Sequence, residues 1–346
     1  MKLLTIAIPT YNMENYLSRC LDSLIVDDAL METLEVLVVN DGSKDSSSQI
    51  GHSYEAKYPH TFRVIDKGNG NYGSCVNRAL KEAQGEYFKI LDADDWFDTE
   101  GFTTLLRELA SFKAEKPDVI FTKRYSYNDG HDEPIGTMDT HLGVDELNTI
   151  IDANTFDFMQ RKNVMLSTHC ITARTQLLRD NGYMQQEGIS YTDAEFAYYA
   201  VKWAKTYYFM DILVYKYLKG RPGQTMDIDA MLRGLPSFYK VCRRLLLDYG
   251  TMKAGNVSQA VKSNMAGTMI YSVRYFLIIS LLWKKQLTSD EKSHLKEILE
   301  LSKSLCYNAS NQQIMYYFHN FPFVKFYRAT GIRPYYVYNI LKKIKQ

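Results

Sequence analysis

Cysteine is scarce in this 346-residue chain, net charge is almost absent, and no uninterrupted apolar run approaches the length of a membrane span. Each scarcity removes a class of protein. The five cysteines, Cys20, Cys75, Cys170, Cys242 and Cys306, are odd in number and never spaced C-x-x-C. That excludes a disulfide framework and a zinc cluster, and it suits a reducing cytoplasm. Lys plus Arg total 41 against 40 Asp plus Glu, a balance that argues against a general nucleic-acid binder. Apolar runs such as Tyr275 to Trp283, between Arg274 and Lys284, are about half of the roughly 20 residues a bilayer requires. The stretch Met1 to Pro9 shows no small-residue cleavage site and reads as a strand, so no export signal is expected.

What is present is a large apolar inventory: 46% hydrophobic and 13% aromatic residues against 23% charged, the composition of a globular chain with a sizeable core. Short, nearly continuous apolar runs alternate with helical patterns. Leu3 to Ile8 leads to a helix near Glu14 to Ile25, and Leu34 to Val39 to a helix after Lys44. Phe62 to Ile65 leads to a helix from Ser74 to Ala83, and Tyr87 to Leu91 is a fourth strand. This alternation predicts an α/β domain with a mostly parallel sheet flanked by helices. Strand-like Val119 to Tyr127, Ser167 to Ala173 and Tyr207 to Tyr217, with a helix from about Asp193 to Ala204, complete it. Beyond Gly223 the pattern turns helical, so the expected domains are 1–226 and a helical 227–346. After Glu300 there is no acid, while Lys303, Lys325, Arg328, Arg333, Lys342, Lys343 and Lys345 are interleaved with Tyr and Phe. That basic aromatic tail reads either as contact with anionic lipid, peripheral on the inner face of the cell membrane, or as aromatics packing the helical domain with the cations in solvent.

Three constellations could carry chemistry. Asp92-Ala93-Asp94-Asp95 puts three carboxylates at the end of an apolar strand, where ligands of an open α/β sheet bind. Like charges so close repel unless a cation compensates them, and hard oxygens suit Mg²⁺ or Mn²⁺ on a diphosphate; an acidic turn capping the next helix is the bland alternative. Gly68-Asn69-Gly70-Asn71-Tyr72-Gly73 fits G-x-G-x-x-G, with Asp92 about 20 residues on, so an NAD-dependent oxidoreductase is one reading. Against it, the acid opens a triplet and the glycines follow the third strand. The first two strands end in Pro9-Thr10-Tyr11-Asn12 and Asn40-Asp41-Gly42-Ser43, which the topology sets on the same sheet edge as Asp92.

These pieces, in this order and spacing, resemble the inverting family 2 glycosyltransferases of the GT-A fold, closely over about residues 1–110 and more weakly to 226. The resemblance implies that Pro9, Tyr11 and Asp41 hold the base of a nucleotide-sugar, that Asp92 contacts its ribose or sugar, and that Asp94 binds the metal. Thr10, Asn71, Asn77, Ala93 and Arg221 complete the implied nucleotide-sugar contacts. Val76 stands where many members carry Arg, leaving Asn77 or Arg78 to meet the donor. Tyr191-Thr192-Asp193-Ala194-Glu195 resembles the family's acid segment, with Thr192 in place of the first acid and Asp193 as catalytic base. Thr192-x-x-Glu195 also reads as a capping box. His169 reads as a core strand histidine or an acceptor contact. The implied reaction moves a sugar from a nucleotide diphosphate, UDP by preference, to a hydroxyl of a glycan or lipid-linked acceptor in bacterial surface polysaccharide synthesis. A binding module that keeps the fold without catalysis is the alternative of a different class.

Overall fold

The apolar runs become strands because both their faces are covered. In the computed structural model, which describes residues 1–113, 115–130, 133–138, 146–161, 166–221, 223–252, 257–306 and 321–335, strand β2 (Leu34–Asn40) is buried at every position. It pairs in parallel with β1 (Leu4–Thr10), Leu4 beside Leu34 through Thr10 beside Asn40. Strand β3 (Phe62–Asp66) extends the parallel sheet beyond β2, and β4 (Tyr87–Ile90) lies on the other side of β1. Full burial on both faces is the mark of a strand sandwiched between helices. The intervening helices are α1 (Leu17–Asp22), α2 (Asp28–Met31), α3 (Ser47–Lys57) and α4 (Asn71–Glu82). The pattern from Glu14 to Ile25 predicts one helix; it stops at Asp22, and a separate α2 begins where Asp27 caps it by accepting from the Leu30 amide at 3.0 Å.

The second half of the sheet mixes directions. After β5 (Trp96–Phe97) and α5 (Thr99–Ser111) come β6 (Val119–Asn128), β7 (Pro134–Met138) and β8 (Ile150–Asp152). Then follow β9 (Ile171–Arg174), α6 (Thr175–Asp180), α7 (Asp193–Trp203) and β10 (Thr206–Lys219). The sheet order is β3-β2-β1-β4-β9-β6-β10-β5, with β7 on β6 and β8 on β10. The long β6–β10 pairing is parallel, whereas β4–β9, β9–β6 and β10–β5 are antiparallel. One consequence matters for the site. Because β9 runs against β4, the N-terminal end of β9 meets the C-terminal end of β4, so residues before Ile171 face residues after Ile90.

Contacts divide the chain into two compact units, Met1–Phe156 with Gln160–Pro222, and Asp157–Met159 with Gly223–Gln346. The second is helical: α8 (Ile228–Arg233), α9 (Leu235–Gly250), α10 (Gln259–Ile278), a π-helical turn (Ile279–Trp283), α11 (Ser289–Cys306) and α12 (Pro322–Thr330). The periodicity over Met231 to Leu247 predicts one helix, but Pro236 at the start of α9 lacks the N–H a continuing helix would need, and the chain breaks at Gly234. Helix α10 and its π turn form one 25-residue helix, Gln259–Trp283. By length and composition alone it could cross a bilayer, although no uninterrupted apolar run in the sequence is that long; polar residues within it conceal its extent. Of its most apolar window, 67% is buried within the fold, with Met265, Met269, Val273 and Phe276 in the core, as for a core helix. Of the basic tail, Lys342, Lys343 and Lys345 lie outside the described residues, as do Tyr316, Tyr317, Phe318, Tyr336 and Tyr338. Arg333 is spent inside the fold, donating to the carbonyl of Ser280 at 2.8 Å at the π turn.

Candidate active site

The loops after β1 and β2 are cross-tied. The Asp41 amide donates to the Thr10 carbonyl at 2.8 Å, the Asn12 amide to Ser43 Oγ at 3.0 Å, and the Lys44 amide to Asn12 Oδ1 at 2.8 Å. Gly42 adopts φ +74°, a conformation that a side chain would strain. Pro9 is half-buried, Thr10 is buried with its hydroxyl on the Ile8 carbonyl, and Tyr11 stands 43% exposed at the edge. Asp41 is buried, ion-paired to Lys67, and accepts from the Gly70 amide at 2.9 Å. Lys67 also donates to Ser74 Oγ at 2.7 Å. Lys67 therefore joins this group although the sequence pattern gives it no prominence.

The glycine loop is not a dinucleotide loop. Helix α4 starts at Asn71, itself at φ +66°, so Gly73 sits inside the first turn instead of before it. A Cβ on Gly73 would lie 2.1 Å from the carbonyl oxygen of Gln186. The third glycine thus admits the segment that leads to α7. Asn77 ties down the same segment: it donates to the Gln185 carbonyl at 2.9 Å and Glu187 Oε1 at 2.8 Å, and accepts from the Gln185 amide at 2.8 Å. Arg78 pairs with Glu82 one turn along. The structure brings neither residue to the acid triplet.

The acids themselves divide three ways. Asp92 Oδ1 accepts from Tyr72 OH at 2.9 Å, and its Oδ2 lies 3.5 Å from His169 Nε2. Asp94 is ion-paired to Arg221, and its carbonyl accepts from Arg19 at 3.1 Å. Burial lifts the Asp94 carboxyl above its ordinary range, opposed by Arg221 and reinforced by Asp92. Asp95 is fully buried, accepting from Tyr215 OH at 2.6 Å and the Leu218 amide at 2.7 Å. Burial first, and then the two neighbouring acids, push it well above the usual carboxylate range. Tyr215 OH also accepts from the Asp92 amide at 3.1 Å, so one phenol grips both ends of the triplet. Ala93 is buried between them.

His169 is not in a strand. It occupies a 3-10 turn, Thr168–Cys170, directly before β9, with its ring 4.8 Å from that of Tyr215 and 5.0 Å from that of Tyr217. Arg124 Nη1 lies 3.0 Å from His169 Nδ1 and can only donate, so Nδ1 accepts and the ring proton sits on Nε2, facing Asp92. Burial lowers its pKa, which keeps it neutral. Asp193 opens α7, its carbonyl accepting from Thr168 Oγ1 at 2.6 Å. Burial raises the Asp193 carboxyl; His169 opposes the shift and Asp92 adds to it, so all three share one electrostatic neighbourhood. The capping box does not form. The Thr192 hydroxyl makes no cap, and the buried Glu195 carboxylate instead accepts from the Gln186 amide at 3.0 Å and its side-chain amide at 2.5 Å. A contact nine residues upstream outcompetes the local one.

A divalent cation suits this donor set, because hard carboxylate oxygens crowd here and burial already raises two of them. Among the described residues, Asp92, Asp95 and His169 offer ligand atoms within 4.8 Å of one another. Two of these are committed elsewhere: both Asp95 oxygens accept hydrogen bonds, and His169 Nε2 carries its proton. Asp92 also accepts from Tyr72, and Asp94, beside them, is ion-paired to Arg221.

Comparison with known proteins gives the family and the fold. The family model described as Glycosyl transferase family 2 matches residues 5–182, just over half of the chain. A poly(ribitol-phosphate) beta-glucosyltransferase of Bacillus spizizenii is 31% identical over 209 residues, 58% of this chain and 32% of that enzyme. The matched stretches cover only 17% to 36% of the length of the first curated relatives. Among solved structures, S. aureus TarS 1–349 superimposes with a TM-score of 0.66 at 21% identity, covering 100% of this chain and 92% of that one. Its complex with UDP-GlcNAc gives 0.63 at 19% identity, over 96% and 93%. At such identities the likeness shows the fold, and the fold is the GT-A type, a mixed, mostly parallel sheet flanked by helices.

Proposed function

This chain belongs to glycosyl transferase family 2, and on that premise we propose that it moves a sugar, with inversion, from a UDP-sugar to a hydroxyl of a glycan or lipid-linked acceptor in bacterial surface-polymer synthesis. The observation that carries the reading is the convergence of Asp92, Asp94, His169 and Asp193 at the carboxyl edge of the sheet, one loop away from the Asp41–Lys67 pair. Asp41 and Lys67, with Pro9, Thr10 and Tyr11, receive the base and ribose. Asp193 takes the acceptor proton; burial raises its carboxyl, and hydrogen bonds from the first amides of α7, its own and that of Ala194, oppose the rise. His169 stands between Asp92 and Asp193 on the acceptor side. Asp94, with Asp92, would hold Mn²⁺ or Mg²⁺. When bound, such an ion offsets the charge of the departing diphosphate. Arg221, beside Asp94, supplies a second positive charge at that end.

Structures of S. aureus TarS in complex with UDP-GlcNAc and with UDP support a nucleotide-sugar donor. The test is a thermal-shift panel of UDP-GlcNAc, UDP-glucose, UDP-galactose, GDP-mannose and NAD, with and without Mn²⁺, followed by an assay of nucleotide release. At least one UDP-sugar is expected to raise the melting temperature in Mn²⁺ and to release UDP above background. Stabilisation by NAD alone restores the oxidoreductase, and binding without UDP release leaves a non-catalytic module.

The enzyme works from the cytoplasm, and its basic aromatic tail meets anionic lipid in the same proposal. Helix α12 contributes Lys325 and Arg328 beside Phe326, which is 41% exposed. Full-length protein is expected to float with phosphatidylglycerol vesicles, and protein truncated after Tyr307 to remain at the bottom of the gradient. Equal flotation of the two, or none by either, removes the tail from the account.

A further inference from the structure

Strand β4 reads Tyr87-Phe88-Lys89-Ile90 and is buried throughout, so the lysine is the anomaly. Its side chain has 0% exposure, and burial brings its pKa down to about 8. The ammonium donates to two backbone carbonyls, those of His169 at 2.8 Å and Ile171 at 3.2 Å, and the rings of Phe97 and Tyr215 lie 5.8 and 6.0 Å away. Carbonyls compensate a buried charge less well than a carboxylate does, and an isoleucine or leucine would fill the position without that cost.

The sheet register says what the lysine is there for. Strands β4 and β9 pair only at Tyr87 with Arg174 and Phe88 with Ala173, whereas β9 goes on pairing with β6 as far as Ile171 with Phe121. Beyond Phe88, therefore, β9 peels away from β4, and the carbonyls at its N-terminal end lose the strand amides that would have met them. The Lys89 ammonium supplies the missing donors across that gap. The turn it secures carries His169, which faces Asp92, and Thr168, whose hydroxyl holds the Asp193 carbonyl.

We propose that Lys89 is a positioning residue for transfer: it pins the Thr168–Cys170 turn to the strand that ends two residues before Asp92, and so fixes His169 and Asp193 against the acid triplet. This rests on the transferase reading above. The variant is Lys89→Met, which keeps the length of the side chain and removes the donor. With the UDP-sugar that releases UDP fastest in the panel, UDP release is expected to fall at least about tenfold, as misplacements of an ångström cost that much or more. UDP-sugar affinity in Mn²⁺, read by calorimetry, is expected to stay within about twofold. In a His169→Gln background the same change is expected to cost less than about twofold, because both act through one turn.

Turnover equal to wild type overturns the proposal, as does a full additional loss in the His169→Gln background, or a proportional loss of affinity and rate with the melting temperature, which marks a structural role only. If Lys89→Met does not fold, Thr168→Val removes the other end of the same tie with little change of shape and must give the same split between rate and affinity. A wild type that releases no UDP from any sugar in the panel overturns the transferase reading itself; a wild type that does, matched by Lys89→Met, overturns only the role of Lys89.

Discussion

Asp193→Asn is expected to keep the fold, the melting temperature and the affinity for UDP-sugar with Mn²⁺, and to lose UDP release by at least about a hundredfold, the usual contribution of a general base being 10² to 10⁴. The structure gives reasons for each half of that result. The contact that seats the start of α7 runs from Thr168 Oγ1 to the main-chain carbonyl of residue 193, and an amide side chain leaves it intact. Asparagine matches the carboxylate in shape but cannot take a proton. Burial lifts the Asp193 carboxyl above its ordinary range, which strengthens it as a base so long as the working pH keeps it ionised. Glu195 would be the natural substitute from the sequence, two residues along the same helix. It is fully buried and clasped by Gln186, so it cannot rescue the variant. Retention of nearly full turnover by Asp193→Asn, measured as UDP release at saturating sugar, places the base elsewhere, and Asp92 becomes the first carboxylate to test.

The parts of this site that the sequence announces are those encoded locally. Strands β1, β2 and β4 are buried on both faces, so their apolar runs are continuous, and the polar residues that end them fall on one sheet edge whatever the exact register. Asp92, Asp94 and Asp41 are legible for that reason. The rest depends on contacts between distant residues. Lys67 matters because β3 delivers it beside Asp41, and Tyr215 because β10 returns its hydroxyl to the Asp92 amide and the Asp95 carboxylate, more than 100 residues away. His169 has the β-branched neighbours of a strand, yet β9 begins only at Ile171 and meets β4 only at Ala173 and Arg174, so at His169 the chain still turns. The capping box failed for the same reason: Thr192 and Glu195 have the local spacing, but Gln186 offers Glu195 two donors and the cap offers one. Asn77, which the resemblance implies as a donor contact, also ties Gln185 and Glu187 to α4, a link that only the folded chain reveals.

Asp94→Asn is expected to abolish the Mn²⁺-dependent part of UDP-sugar binding while leaving metal-free binding as it was. Groups that merely support a ligand cost 10- to 100-fold in metal affinity when removed, so loss of a ligand itself is expected to cost at least about a hundredfold. Asp94 is ion-paired to Arg221, so the same guanidinium lies beside the carboxylate that would hold the ion on the diphosphate. The rival arrangement uses Asp92, Asp95 and His169, whose ligand atoms lie within 4.8 Å. The two make opposite forecasts for Asp95→Asn. If Asp95 is structural, replacing it disturbs the hydrogen bonds from Tyr215 and the Leu218 amide, so the melting temperature falls while Mn²⁺ still strengthens UDP-sugar binding in the protein that remains folded. If Asp95 is a ligand, the Mn²⁺ effect disappears with it and survives Asp94→Asn. Calorimetric titration of the two variants with one UDP-sugar, each with and without Mn²⁺, decides between them. Asp94 also differs from Asp193 in what it should do to catalysis: its loss removes donor affinity and UDP release together, because the diphosphate is no longer held, whereas loss of the base spares the first and removes the second.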